Sequence, residues 1–147
     1  MEGRRGRLAF HMGSTIGATL NGPAGVAGEA FVEPRFVTPM GGFGMRTGYF
    51  FRTHRGADND ELDLAGGVFT LTGALAVRRL ALHGGLGLMF QGGSGYRALI
   101  GTTLWPIQKR GFGYGVTIEL DYMRGTETNT DVSRGQVGLN VGLELGL

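Results

Sequence analysis

The sequence contains no cysteine, one tryptophan and one lysine among its 147 residues. Without cysteine, neither a disulfide framework nor a thiolate metal site can form. Lys109 stands beside thirteen arginines, whereas a soluble protein surface normally uses lysine freely. The shortage of lysine is a first indication that most of the exterior does not face water.

Long apolar runs are also missing. Glycine interrupts the apolar segments, so no stretch approaches the roughly 20 consecutive apolar residues of a transmembrane helix. The basic start of the chain, residues 1–7, is not followed by an uninterrupted apolar core, so it is not an intact signal peptide. We expect residues 1–147 to form a single domain, of which residues 1–6 are disordered or were added in cloning.

Glycine is abundant instead, with 30 residues that lie among valine, leucine, phenylalanine and threonine without a collagen period. This composition indicates strands that are crowded on one side. Apolar residues occupy every second position from Val137 to Leu147 and from Phe112 to Tyr122. Alternation of this length predicts two long β-strands.

Six further segments alternate less strictly. The eight strands are predicted at residues 8–20, 26–36, 43–53, 68–77, 82–90, 99–107, 112–123 and 136–147. Strands of about ten residues can cross a bilayer when they are tilted. The two longest links, 54–67 and 125–135, fall at the same end of such a meander. The pattern therefore predicts an all-β fold, an eight-stranded antiparallel up-and-down transmembrane β-barrel with short periplasmic turns and longer outer loops.

The composition of the two faces decides which one points outward, because the inverse arrangement would be a soluble, lipocalin-like ligand-binding barrel. The apolar face has no charged residue in any strand core. The opposite face carries Glu29, Glu33, Arg35, Arg46, Arg52, Glu119, Asp121 and Glu144. A basic residue facing lipid near the midplane costs ~2–4 kcal/mol, whereas opposite charges can pair inside a lumen. We therefore expect the charged face inside.

Aromatic residues support this orientation, because interfacial belts lie near the ends of membrane strands. The expected outer belt consists of Tyr49, Phe51, Trp105, Phe112, Tyr114 and Tyr122. Pro34 and Pro106 cannot donate to a strand ladder, so a strand end or a bulge is expected at each.

The inward charges form the most informative group of residues. If the second hairpin turns at residues 38–41, Glu33 faces Arg46 and Glu29 lies diagonally from Arg52. The same face also carries Phe31, Phe50, Met89 and Met123. An eight-stranded barrel leaves an interior just wide enough for side chains. We therefore expect a filled lumen held by ion pairs, with a narrow selective pore as the alternative.

Other chemistry has weak support. Three histidines lie on separate elements, namely His11, His54 and His83, and no serine stands beside one of them in the sequence. His54 with Asp58 and Asp60 comes nearest to the rim cluster that a lipid-modifying enzyme would need. The acidic run 58–63 lacks the glycine and the spacing of a calcium loop, and the scattered arginines form no nucleic-acid stripe. No catalytic, cofactor or metal residue is assigned.

The last eight residues resemble the C-terminal assembly signal of bacterial outer-membrane proteins, which runs from a polar residue through glycine to a terminal aromatic. The matching positions are Asn140, Gly142, Leu145 and Leu147, with leucine in place of both aromatic residues. With its eight strands, short turns at one end and charged lumen, the whole chain resembles the small outer-membrane barrels of the OmpA and OmpX type. The resemblance implies fold and location more strongly than activity.

These observations predict a monomeric, non-enzymatic protein of the bacterial outer membrane. Its role would be structural, adhesive or surface-interacting, through the two long loops. The expected partners are outer-membrane lipid (or detergent) and the outer-membrane assembly machinery, with no cofactor and no nucleic acid. The alternatives are a narrow pore, a lipid-modifying outer-membrane enzyme and a soluble lipocalin-like barrel.

Overall fold

Eight antiparallel strands close into one barrel in the computed structural model, which describes residues 6–20, 25–55, 61–90, 94–109, 112–125 and 135–147. The strands are β1 Arg7–Thr19, β2 Val26–Thr38, β3 Gly41–Arg55, β4 Glu61–Val77, β5 Leu80–Phe90, β6 Ser94–Lys109, β7 Phe112–Gly125 and β8 Gln136–Gly146. Each strand pairs with the next along the chain, and β8 pairs with β1. The expected eight-stranded up-and-down barrel is confirmed. No helix in the described ranges is long and apolar enough to cross a membrane.

The seam between β1 and β8 closes the sheet. Nine residue pairs from His11–Gly146 to Thr19–Gly138 form its ladder. Phe10 and Leu147 then exchange two backbone hydrogen bonds of 3.0 and 2.8 Å, which carry the seam to the last residue. Every strand of the barrel therefore has two neighbours, so no strand edge is left to pair with another chain.

Two strands begin earlier than the alternation predicts. β4 starts at Glu61 instead of residue 68, and β6 starts at Ser94 instead of residue 99, while β3 continues to Arg55. The predicted links 54–67 and 91–98 were therefore too long. Hairpin pairing satisfies the backbone whatever the side chains are, so the ladder of β3 and β4 continues through the acidic positions that suggested a loop. Residues 1–5, 56–60 and 126–134, which held further predictions, lie outside the described residues.

The outer surface of the barrel is apolar. Large hydrophobic side chains point outward from all eight strands, and Leu8, Leu71 and Leu86 are 76%, 58% and 72% exposed. The exposed charged side chains in the described part of the chain all lie at or beside strand ends: Arg7, Arg78, Arg79, Lys109 and Arg124. The charged face points inward, as the composition of the two faces predicts.

Trp105 does not belong to the outer belt. Its side chain points into the lumen and is only 7% exposed. The β6–β7 register shifts between Leu104 and Ile107, around Pro106, which cannot donate to the ladder. Trp105 keeps the inward phase of the strand before this bulge, and Ile107 resumes outward after it. The prediction that Trp105 belongs to the outer belt, which rested on the apolar character of tryptophan, is wrong.

Several inward glycines stand where a neighbouring strand approaches closely. A Cβ atom added to Gly87 of β5 would collide with the carbonyl oxygen of Phe69 on β4. Gly73 of β4 points outward, and an added Cβ would meet no atom within 4 Å. The close approach of β4 therefore excludes a side chain at Gly87, whereas nothing excludes one at Gly73 in the same hairpin.

We expect Gly87→Ala to lower the free energy of unfolding by about 1–3 kcal/mol, because the collision involves backbone that can only shift with its strand. Gly73→Ala is the matched control and should be neutral or stabilising by up to about 1 kcal/mol, since alanine loses less backbone entropy on folding. Reversible urea unfolding, followed by circular dichroism, measures both variants. Equal effects of the two substitutions would contradict this description of the interior.

Candidate functional site

The lumen is filled by a set of buried ionisable side chains, here called the lumen charge network. Its members are Glu29, Glu33, Arg35, Arg46, Arg52, Arg97, Glu119, Asp121 and Glu144, and none is more than 8% exposed. The structure places all eight residues that the sequence suggested in this network and adds Arg97. With four arginines and five carboxylates the charges nearly balance, which lowers the cost of burying them.

Arg46 is the centre of the network. Its Nε donates to Glu29 Oε1 at 3.0 Å, and its Nη1 and Nη2 donate to the two carboxylate oxygens of Glu119 at 2.6 and 3.2 Å. His83 Nε2 lies 3.0 Å from Glu119 Oε1. The guanidinium also stacks 3.6 Å from the centre of the Phe31 ring. One side chain thus links β3 to β2 and β7, and Glu119 extends the link to β5.

A second cluster lies beside Arg46. Arg52 Nη2 donates to both oxygens of Asp121 at 3.0 and 3.1 Å, and its Nη1 donates to Gln136 at 3.2 Å. Arg97 Nη2 lies 2.6 Å from Glu29 Oε2 and 3.7 Å from Asp121 Oδ2, although the nearer contact is not aligned as a hydrogen bond. Arg97 therefore joins the two clusters.

A third cluster lies toward the short turns. Glu33 Oε1 accepts from Arg35 Nε at 2.8 Å and from Thr72 Oγ1 at 2.5 Å. Glu144 contacts His11 Nδ1 at 2.5 Å and accepts from Thr103 at 3.2 Å. Arg35 Nη2 lies 3.7 Å from Glu144 and so connects the two carboxylates.

The partners differ from those expected along the second hairpin. The pairs Val32–Thr47 and Arg35–Gly44 put Glu33 opposite Arg46 in register, yet Glu33 bonds to Arg35 and Thr72. Glu29 likewise pairs with Arg46 and Arg97 rather than with Arg52. The lumen is narrow enough for long side chains to reach the opposite wall. Ion-pair and hydrogen-bond partners therefore lie across the lumen as well as along one hairpin.

Arg97 is the member that sequence reasoning missed, because residues 91–98 were assigned to a link. The signal was present: Gly95, Arg97 and Leu99 point inward, whereas Tyr96 and Ile100 point outward. Arg97 is 1% exposed, and its Nε and Nη1 atoms have no hydrogen-bond partner among the described residues. Extending the alternation by two residues back from Leu99 would have identified Arg97 as an inward residue of the strand.

The residues that resemble an assembly signal lie along β8 and just beyond it. Asn140 and Gly142 point inward and are buried, whereas Leu145 is outward and pairs with Tyr114 of β7. A Cβ atom on Gly142 would collide with the carbonyl oxygen of Ser14. Leu147 follows the strand and is 53% exposed. The motif thus alternates between lumen and exterior like the rest of the strand.

An apolar cluster of Phe50, Val68, Met89 and Met123 lies in the loop half of the lumen. Ser14 points outward, so it cannot meet the inward His11. In the described ranges no three histidine or carboxylate side chains are grouped to hold a metal ion. The arrangement is a network of buried, largely ion-paired charges that fills the barrel and connects its walls. The rim residues Asp58 and Asp60 lie outside the described residues.

We expect Glu119→Gln to lower the free energy of unfolding by ~3–5 kcal/mol, because it leaves the Arg46 charge under-compensated in a buried site. Replacing both partners, by Arg46→Met with Glu119→Leu, should restore much of the lost free energy of unfolding. In that variant Glu29 still has Arg97 as its ion-pair partner. Arg79→Gln removes an exposed turn charge and is the control, with an effect within about 0.5 kcal/mol. Urea titration measures all three. A double variant that is less stable than the single one would contradict the pairing.

No protein-family model matches the chain, and no curated protein matches it. Among solved structures, one described as "De novo design of transmembrane beta-barrels" is similar over 95% of both chains, with a TM-score of 0.58 and 10% sequence identity. At that identity the likeness concerns the fold alone. The chain therefore shares the architecture of a designed transmembrane barrel, which supports the predicted eight-stranded antiparallel barrel, whereas no family match supports the OmpA or OmpX type.

Proposed function

We propose that this protein is an integral β-barrel of a bacterial outer membrane, with a structural, adhesive or surface-interacting role exerted at the loop end. The observation that carries the proposal is the inversion of the barrel: an uncharged apolar exterior encloses a charged, ion-paired lumen. A water-soluble barrel would need the opposite arrangement. Lipid suits the apolar exterior, and the closed sheet separates the charged lumen from it.

The backbone supports the same environment. Hydrocarbon offers no hydrogen-bond partners, so only helices and closed barrels satisfy their backbone groups within it. Here the ladder runs around all eight strands. In water, the exterior would expose a contiguous apolar surface far larger than the few hundred Å² that soluble monomers usually show. Insertion would cover this surface.

The loop end is the better candidate for contact with partners. β3 and β4 have 15 and 17 residues, whereas a tilted strand needs about 9–11 residues to cross the hydrocarbon. Their ladder continues to the pair Arg55–Glu61. If the apolar band lies in the bilayer, this hairpin projects beyond it as ordered structure. Assembly-machinery recognition through Asn140, Gly142, Leu145 and Leu147 is part of the proposal.

We expect the chain to refold from urea only when detergent micelles or lipid vesicles are present, with a β-type circular dichroism spectrum. The unboiled protein should migrate differently from the boiled one on a gel, because the barrel resists the detergent of the gel. The physical reason is that the apolar exterior needs hydrocarbon around it. A monodisperse folded monomer in plain buffer would refute the membrane proposal and favour the soluble barrel.

A face-specific pair of variants sharpens this test. Leu71 lies outward in the middle of β4, and Leu71→Arg should cost ~2–4 kcal/mol of folding free energy in lipid vesicles. Ala76 on the same strand lies inward near the turn end, so Ala76→Arg keeps its charge in water. Leu71→Phe controls for loss of the native side chain. If Ala76→Arg impaired insertion more than Leu71→Arg, the inside and outside would be assigned wrongly.

We also expect the wild-type barrel to conduct little or no current, because the charge network and the apolar cluster fill its lumen. Glu119→Gln with Asp121→Asn should raise the conductance, since both carboxylates hold arginines in place. Deletion of residues 126–133 is the comparison and should have the smaller effect. Single-channel recording in planar bilayers measures all three proteins. Large, stable openings of the wild type would make the narrow pore the leading function.

A further inference from the structure

A cavity of about 300 Å³ opens at the end of the barrel that carries the short turns. We call it the turn-end cavity. Its lining includes Arg7, His11, Arg35, Arg78, Trp105 and Lys109, with alanine side chains between them. The volume lies at the lower limit of small-molecule sites. Two of the lining side chains, Arg35 and His11, also bond to Glu33 and Glu144, which do not line the cavity themselves.

The charged side chains of the lining are all cationic, and Leu147, whose main-chain carboxylate ends the sequence, also lines the cavity. Four cationic side chains contribute to it, and no carboxylate side chain of the described residues does. Arg35 is paired with Glu33, whereas the ion pairs in the described part of the chain include none to Arg7, Arg78 or Lys109. Like charges around a concavity with low-dielectric walls focus the field and attract the opposite charge. The cavity therefore favours anions.

One wall of the cavity is aromatic and rigidly held. The Trp105 indole lies against Gly113, Gly115 and Gly146, where added Cβ atoms would come within 3.2, 3.1 and 3.5 Å of the ring. His11 meets the indole edge-on, with ring centres 5.5 Å apart and an interplanar angle of 88°. The absence of a side chain at Gly113 and Gly115 makes room for the ring, and Gly146 borders it at ordinary contact distance. A flat apolar molecule would find a preformed partner beside the basic side chains.

We propose that the turn-end cavity binds a small organic anion that combines one anionic group with a flat apolar body. The anionic group would face Arg7, Arg78 and Lys109 at the mouth, and the apolar body would lie toward Trp105 and the alanines. An inorganic anion would contact only the basic side chains at the mouth. The proposal goes beyond the role of the loop end, since the cavity lies at the opposite end of the barrel.

The test uses the fluorescence of Trp105, which is the only tryptophan of the chain. The full-length barrel, folded in an uncharged detergent, is titrated with 4-nitrobenzoate, whose nitroaromatic ring quenches indole emission. The uncharged 4-nitrobenzamide and a cationic 4-nitrobenzyl ammonium compound are the charge controls. Inorganic phosphate is added as a competitor. We expect saturable quenching by the benzoate, at least about tenfold weaker binding of the amide, and weak competition by phosphate.

Two substitutions in one turn provide a matched pair. Arg78 lines the cavity, and its neighbour Arg79 does not. Arg78 has a φ of 57°, a left-handed conformation that asparagine tolerates, so Arg78→Asn and Arg79→Asn are compared. Combining Arg7→Gln with Arg78→Asn should weaken benzoate binding about tenfold, whereas Arg79→Asn should leave it unchanged. Ala76→Phe, which fills the cavity without removing a charge, should also weaken binding.

Gel migration of unboiled samples shows that each variant is folded before it is titrated. Quenching that is linear in concentration, equal for benzoate and benzamide, or unaffected by the Arg7 and Arg78 substitutions would overturn the proposal. Phosphate that competes as well as benzoate would also overturn it, because the aromatic wall would then contribute nothing. The measurement requires a folded barrel but no membrane, so its failure is distinguishable from failure of the proposed membrane role.

Discussion

The narrowness of a closed eight-stranded barrel is the constraint on which the other features depend. Its interior has room for side chains and little else, and its exterior here is apolar. Charged residues in the middle of the strands therefore have only the lumen to occupy, and there each must find a partner close by. Arg46 satisfies this with two carboxylates and an aromatic ring at once. The charge network follows from the closure of the sheet.

Several of the inward glycines have the same origin. A Cβ added to Gly44 would lie 2.6 Å from Glu33 Oε1, and one added to Gly101 would lie 2.8 Å from the Cγ of Glu119. On another wall Gly115 makes room for Trp105 in the same way. A large inward side chain on one strand thus requires a missing side chain on a neighbour. These glycines are the complement of the carboxylates and the aromatic ring that they face in the lumen.

The sequence was sufficient for the strand number, the order and the faces, because alternation and the uncharged band are local properties. It was insufficient at three places. Strand ends beyond the apolar band, such as Glu61, carry no hydrophobic signal, and the bulge at Pro106 reverses the expectation for Trp105. The ion-pair partners depend on which walls face each other across the lumen, and this follows from strand tilt and stagger. Arg46 and Glu119 are 73 residues apart.

The charge network also bears on register. Sliding one strand by two residues past its neighbour keeps every apolar residue outside and every polar residue inside, so the alternation cannot prevent it. Such a slip would move Arg52 away from Asp121 and Arg46 away from Glu119, leaving buried charges unpaired. Well-paired buried charges add little net stability over apolar residues of the same shape, but unpaired ones are strongly unfavourable. The network therefore distinguishes the native register from its two-residue neighbours, which the apolar exterior tolerates equally.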